Sequence, residues 1–397
     1  MKSEANGYKV VFNGTVVTPT HQINDGVVVI QDKRIIDVGK RGEIAEPEDA
    51  KRIDAGGHYI VPGMIDIHVH GSYGADVMDA TDEAYTTMSD FFVTRGVTAF
   101  VATALTMPDA NFMAILECIS NIRRNGNLRG AEVLGVHMEG PFINVEQKGC
   151  HPVDLIVEPK PEQYMAYFEY KDVIKQMTLA PELKGAAQLV RDLVQSGILA
   201  AAGHTNGIYR EMLPAIDAGI KHAVHFFCNM GNFRRDNLKR VAGAMETLLF
   251  DDRISTELIA DGWHVGDTLM KLTVKVKGID RVCFVTDAMT AAGMPPGRYF
   301  VGNVEAIVEG GIARLPDNTA YASSVTTMDV CVRNGITRMD LPFADSVRMA
   351  TLTPATIIGI ADYKGSLEKG KDADVVIMDG NVDIKKTIAH GNVVYEA

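Results

Sequence analysis

The chain has 397 residues, 46% hydrophobic and 23% charged, which is enough apolar material for one large core and a smaller one. Its 39 basic against 51 acidic residues leave a net charge of −12, which argues against general attraction to nucleic acid and requires locally placed Arg or Lys for any anionic ligand. No apolar run approaches the roughly 20 residues of a membrane span, residues 1–8 lack the apolar segment of a secretory signal, and the five cysteines are scattered without a Cys-x-x-Cys pair. A cytoplasmic enzyme with free thiols is the expectation.

In chain order, residues 8–60 read as short strands. Val10-Val11-Phe12, Thr15-Val16-Val17, Val27-Val28-Val29-Ile30 and Ile35-Ile36 carry β-branched runs broken by Asn13-Gly14 and Asp25-Gly26. The last 35 residues have the same texture, with Val375-Val376-Ile377 and Asn392-Val393-Val394-Tyr395. Neither end is large enough to fold alone, so residues 1–61 and 364–397 are expected to pair into one small β-sandwich domain.

Across 62–363 the texture changes to strand and helix in alternation. Strands are expected at 65–70, 99–102, 133–139, 173–179, 198–204, 223–226, 256–259 and 283–287. Helical stretches fall at 82–94, 111–124, 183–196, 209–218 and 266–277. Eight βα units over roughly 230 residues predict an α/β fold of the (β/α)8 TIM-barrel type. A doubly wound sheet is the alternative, but the Gly-x-Gly-x-x-Gly turn that usually announces it is absent after the first strand.

Several of these strands finish in chemistry, and barrel active sites sit at the C-terminal strand ends. The first strand ends in His68 and His70, two apart and so on one face; paired imidazoles at a strand end are how a divalent metal site begins. The third ends in Glu139, the fifth in His204, the sixth in His225, and the eighth in Asp287. If the barrel closes, these six converge. His137 and His222 each lie two residues before a candidate ligand and are expected to be hydrogen-bonded core histidines. His21, His58 and His390 fall in the small domain as surface or interdomain residues, Asp261 reads as a turn residue, and His264, after the seventh strand, is expected to face a substrate.

Pro62-Gly-Met-Ile-Asp-Ile-His-Val-His-Gly71, His137-Met-Glu-Gly-Pro-Phe-Ile-Asn144, Ala202-Gly-His-Thr205, Ala260-Asp-Gly-Trp-His264 and Val285-Thr-Asp-Ala-Met289 together resemble the N-acetylglucosamine-6-phosphate deacetylase family of the amidohydrolase superfamily. The resemblance covers essentially the whole chain. His-x-His is superfamily-wide; Glu-Gly-Pro-Phe with Ala-Asp-Gly-x-His is far more specific. It implies that Glu139, His204 and His225 hold one divalent ion, zinc first, with iron, manganese or cobalt as alternatives. His68 and His70 could hold a second ion, with Glu139 as the bridge. It also implies that Asp287 is the catalytic acid–base, that His264 stabilises the carbonyl oxygen, that His151 contacts the sugar, and that the protein is a homodimer. The fourth strand ends Leu179-Ala180-Pro181-Glu182 without the bridging lysine of hydantoinase-like relatives.

The chain departs from that family where substrate is held. After His225 it reads Phe226-Phe227-Cys228-Asn229-Met230, which makes Cys228 and Asn229 candidate substrate contacts, and the arginine that the family supplies to the phosphate of the neighbouring subunit's substrate is replaced by Asn237. Arg234 and Arg235 are the candidates to replace it; solvated charges at a helix end are the other reading. Ala322-Ser323-Ser324 stands where the family has Ala-Gly-Ser. The expected activity is hydrolysis of the N-acetyl group of an amino sugar, most directly N-acetylglucosamine 6-phosphate. The alternatives are N-acetylgalactosamine 6-phosphate, an unphosphorylated sugar, or a silent relative kept as a binding module.

Overall fold

The computed structural model describes residues 7–126 and 128–397; residues 1–6 of the expected small domain lie outside the described residues. Eight parallel strands form the barrel sheet in the order of the chain: Met64–Val69, Val97–Ala104, Glu132–Glu139, Ile174–Leu179, Leu199–Ala202, His222–Ala223, Ser255–Ile259 and Val282–Val285. No ladder is formed between the eighth strand and the first, but backbone hydrogen bonds just past the strand ends close the seam. Asp287 N–H donates to the His68 carbonyl at 2.9 Å, and His70 N–H to that of Ala288 at 2.8 Å.

Alternation along each strand separates two cores. Leu258, Ala260, Val282 and Phe284 join the large apolar cluster beneath the surrounding helices, whereas Ile259, Cys283 and Val285 join Ile65, Ile67, Ala99 and Val101 inside the barrel. The helices bury one stripe each. In Ala186–Gln195 the buried positions are Ala186, Leu189, Val190 and Leu193, the spacing of one helical face. In Asp82–Val93 the start is fixed by Thr81, whose hydroxyl accepts from Ala84 N–H at 3.2 Å. Among the described residues no helix is long and apolar enough to cross a membrane.

Both chain ends build one eight-stranded sheet, ordered Asn392–Glu396, Ile384–Ala389, Val375–Met378, Tyr59–Pro62, Tyr8–Val17, Gln22–Gln31 and Arg34–Lys40, with Lys51–Asp54 added against Tyr8–Val17. The N- and C-terminal parts are joined where Val61 pairs with Val376. Val28 and Ile30 from one end share a core with Ile377 and Ile388 from the other, so the sheet folds over on itself.

The structure ends three of the expected strands two or more residues early. The fifth ends at Ala202, the sixth at Ala223 and the eighth at Val285, because His204 (φ +47°), His225 (φ +26°) and Asp287 (φ +47°) leave the extended conformation and break the ladder. It also adds elements that carry little periodicity: a three-stranded sheet of Gly297–Val301, Val304–Glu309 and Ile312–Arg314, and a hairpin of Arg234–Asp236 with Lys239–Val241.

Candidate metal centre

The strand ends bring all six predicted ligands into one buried cluster. Glu139 Oε1 lies 2.8 Å from His225 Nε2, 3.1 Å from His204 Nε2 and 3.6 Å from His68 Nε2; Oε2 lies 3.5 Å from His70 Nε2. Asp287 Oδ1 lies 3.0 Å from His70 Nε2 and 3.7 Å from His68 Nε2. Local backbone explains the aim of these side chains. His204, His225 and Asp287 (φ +47°) all adopt the left-handed conformation, which is costly for residues with a Cβ and turns each side chain inward just past its strand. After Glu139 the chain reverses at Gly140 (φ +90°), where an added Cβ would meet Thr106 Oγ1 at 2.1 Å.

Hydrogen bonding fixes which imidazole nitrogen faces the cluster. Nδ1–H of His68 donates to Glu257 Oε2 at 2.8 Å, that of His70 to the Thr103 carbonyl at 3.1 Å, and that of His204 to the Gln147 carbonyl at 2.7 Å. Wherever such a ring is neutral, its proton is therefore on Nδ1 and the lone pair of Nε2 points inward; although burial opposes it, the Glu257 and Glu139 carboxylates raise the His68 pKa well above the usual imidazole value. His204 Nε2 also faces His225 Nε2 at 3.1 Å, and His68 Nε2 is buried without a hydrogen-bond partner. Burial works against ionisation of Glu139, but the surrounding imidazoles, His68 foremost, hold its carboxyl well below the usual range. Lone pairs and carboxylate oxygens converging at this distance repel unless a proton or a metal cation sits between them. Two overlapping triads have ligand atoms within 4.8 Å of one another, Glu139–His204–His225 and His68–His70–Glu139. Neutral imidazoles oriented from behind by a carboxylate or carbonyl, together with a shared carboxylate, fit a divalent ion.

The cluster forms the floor of a cavity of about 580 Å³. His151, Cys228, Asn229 and His264 line it; Arg234 and Arg235 do not. Instead Arg234 is drawn to Glu211 Oε2 (3.1 Å) and the Asn206 carbonyl (3.2 Å), and both arginines are exposed on their hairpin. Thr106 N–H donates to His151 Nδ1 at 3.2 Å, which leaves the His151 proton on Nε2, 3.6 Å from Glu139 Oε2. Burial pushes the His151 pKa down to about 4, so the ring is a neutral donor at the site. Asp261 accepts from Nδ1–H of His264 at 2.7 Å and from the backbone N–H of Trp263 and His264. It therefore both shapes the turn and orients the ring, more than the turn role read from sequence.

His137 and His222 are core histidines, as expected. His137 Nε2 lies 2.7 Å from Thr178 Oγ1, and His222 bridges Ser255 Oγ (2.8 Å) and Glu257 (3.1 Å). Glu257 itself was missed in the sequence, where Ser255-Thr-Glu-Leu-Ile259 reads as an ordinary strand. The signal available was a carboxylate at an inner-face position, two and four residues before Ile259 and Asp261.

A model of the amidohydrolase family matches residues 59–394. The chain is 36% identical over 375 residues to an N-acetylglucosamine-6-phosphate deacetylase of Vibrio furnissii, with 92% of each covered. It is 32% identical to an N-acetylgalactosamine-6-phosphate deacetylase of Escherichia coli O157:H7, with 87% of this chain and 90% of that one covered. A mutant N-acetyl-D-glucosamine-6-phosphate deacetylase of Mycobacterium smegmatis, solved with N-acetyl-D-glucosamine-6-phosphate, superposes with a TM-score of 0.89 at 28% identity, covering 98% of this chain and 99% of that one. The chain belongs to the amidohydrolase family and, within it, to the N-acetylglucosamine-6-phosphate deacetylases.

Proposed function

We propose that this protein hydrolyses N-acetylglucosamine 6-phosphate to glucosamine 6-phosphate and acetate. The observation that carries the reading is the convergence of Glu139, His204 and His225 beside Asp287 on the floor of a cavity that His264 overlooks. A divalent ion, zinc by preference, would be held by Glu139, His204 and His225, and a second by His68 and His70 with Glu139 between them. Once bound, such an ion supplies Lewis acidity, lowering the pKa of a coordinated water from about 15.7 toward about 7 and polarising the acetyl carbonyl.

The chain's own groups supply the rest. Asp287 takes a proton from the attacking water as its oxygen bonds to the carbonyl carbon, then delivers that proton to the amine nitrogen as the C–N bond breaks. Ser323 Oγ–H donates to the Asp287 backbone carbonyl, with Oδ1 of the same residue 3.2 Å away, and so anchors Asp287. His264 donates from Nε2 to the carbonyl oxygen as charge grows there. Because Nδ1–H is already given to Asp261, that donation takes a ring protonated at both nitrogens. His151 Nε2–H, aimed at the same floor, serves as a substrate donor, and Cys228 and Asn229 form the wall.

This reading takes 62–363 as the catalytic barrel and 1–61 with 364–397 as the small domain, and the protein as a cytoplasmic homodimer. Likeness to the galactosamine enzyme favours N-acetylgalactosamine 6-phosphate as the second candidate. Acetate release measured with both phosphorylated sugars and their unphosphorylated forms decides among them. Release from none would leave a silent binding module.

A further inference from the structure

The fourth barrel strand brings no ligand to the cluster, yet the carboxylate just past its end is heavily engaged. Glu182 is half-buried and does not line the cavity. Asn206 N–H and Asn144 Nδ2–H both donate to its Oε1 at 2.8 Å, and Thr205 Oγ–H donates to its Oε2 at 2.5 Å. Hydrogen bonds to an ionised acceptor are the stronger kind. Gly207 lets the chain pass this close, since an added Cβ there would meet the Cβ of Glu182 at 2.9 Å.

All three donors adjoin His204, whose left-handed backbone turns its ring toward Glu139. Thr205 and Asn206 are the two residues that follow it. Asn144 holds it from the other side, where its backbone N–H donates to the His204 carbonyl at 2.9 Å. The side-chain oxygen of Asn144 accepts from Glu146 N–H at 2.9 Å and so opens the single turn Val145–Gln147. That turn ends on the Gln147 carbonyl, which accepts Nδ1–H of His204 at 2.7 Å. The Asn144 amide therefore links Glu182 to the group that sets the tautomer and direction of the His204 ring. A non-glycine residue persists in the left-handed region only where its surroundings over-determine it, and Glu182 is the acceptor that joins those surroundings. Thr205 carries the same brace to the segment after His225, donating its N–H to the Asn229 carbonyl at 3.2 Å and accepting from Gly231 N–H at 2.8 Å.

We propose that Glu182 is a positioning residue for the metal centre. It holds the His204 turn from both sides, so that Nε2 meets the ligand atoms of Glu139 and His225 around one ion. The inference rests on the reading of those three residues as metal ligands.

The test titrates metal-stripped parent, Glu182→Ala, Glu182→Gln and Thr205→Val with cobalt(II), by calorimetry and by the visible absorption of the bound ion, which reports its ligand geometry. Circular dichroism checks that each variant is folded, and acetate release from N-acetylglucosamine 6-phosphate is measured at saturating zinc. Glu182→Ala should bind cobalt about 10- to 100-fold more weakly with altered absorption, and at saturating zinc should lose about tenfold in kcat with KM nearly unchanged. Glu182→Gln keeps an oxygen for Asn144 and Asn206 and turns an N–H toward Thr205 Oγ, so its affinity should stay within about threefold of the parent. Thr205→Val removes one bond of the three and should fall between; it also reads the effect in place of an unfolded Glu182→Ala. Unchanged cobalt affinity and absorption in the folded variant that reads the effect would overturn the assignment, as would a Glu182→Gln no better than Glu182→Ala. A parent that takes up no cobalt would remove the metal reading and this inference with it, whereas a parent that binds cobalt but releases no acetate would sink only the deacetylase reading and leave the affinities to decide Glu182.

Discussion

Glu257 and His68, 189 positions apart in the chain, meet inside the barrel: Nδ1–H of His68 donates to Glu257 Oε2 at 2.8 Å, and neither side chain is exposed. The same carboxylate accepts from His222 Nε2 (3.1 Å), His225 N–H (2.9 Å) and Gln176 Nε2 (3.4 Å), so four donors converge on two oxygens. Burial works against the charge, but His68 and His222 hold the Glu257 carboxyl well below the usual range.

Glu257→Gln puts an NH2 among those donors and removes one acceptor, so His68 loses its alignment. The affinity for an ion at His68 and His70 should fall about 10- to 100-fold, while an ion at Glu139, His204 and His225 is retained. Titration of metal-stripped protein followed by elemental analysis checks this. Two sites of unchanged affinity would show that Glu257 is not what orients the His68 ring.

The base and the oxyanion donor should separate kinetically. Asp287→Asn should lower kcat by about 10²- to 10⁴-fold, and His264→Asn by about 10²- to 10³-fold, each with bound metal at Glu139, His204 and His225 preserved. Steady-state acetate release alongside metal content makes the comparison. An Asp287→Asn variant within a few-fold of the parent would assign the proton transfer to another group.

A different buried charge ties the two domains together. Lys364 Nζ lies 2.9 Å from Glu132 at the start of the third barrel strand, 2.9 Å from Asp372, and 2.8 Å from Asp374 beside the C-terminal strands. Burial opposes the ammonium, yet Asp374, Glu132 and Asp372 raise its pKa well above 10.5. A base whose folded pKa is raised contributes stability in full below its unfolded value, and that contribution fades only as pH climbs through the folded one. Lys364→Met should therefore cost about 3 to 5 kcal/mol near neutral pH by stranding three carboxylates. Denaturant unfolding of parent and variant reads the difference; equal midpoints from pH 7 to 9 would deny the clamp a role.

Much of this architecture was legible because the barrel strands are β-branched runs that end in ligands. Ile65 to His70 and Val133 to Glu139 state both their conformation and their chemistry in one stretch. Helix 209–218 was placed to the residue by its apolar spacing. Short-range signals failed where long-range geometry decides. Arg234 and Arg235 look like an anion site in a basic run, but which cavity they serve is not written in the run: a two-stranded hairpin holds them outside the cavity of their own chain. Glu257 escaped notice because one carboxylate in an apolar strand is informative only once the histidines around it are known.

The claim on which the rest depends is that Glu139, His204 and His225 hold a divalent ion that amide hydrolysis requires. Acetate release from N-acetylglucosamine 6-phosphate, measured on one preparation of known metal content before chelation, after chelation and after zinc is restored, tests it most directly, with Glu139→Gln run in parallel. The account predicts at least one equivalent of metal in the parent, loss of turnover with its removal, recovery on its return, and neither stoichiometric metal nor turnover in Glu139→Gln. Undiminished turnover by metal-free parent, or by Glu139→Gln, would contradict it.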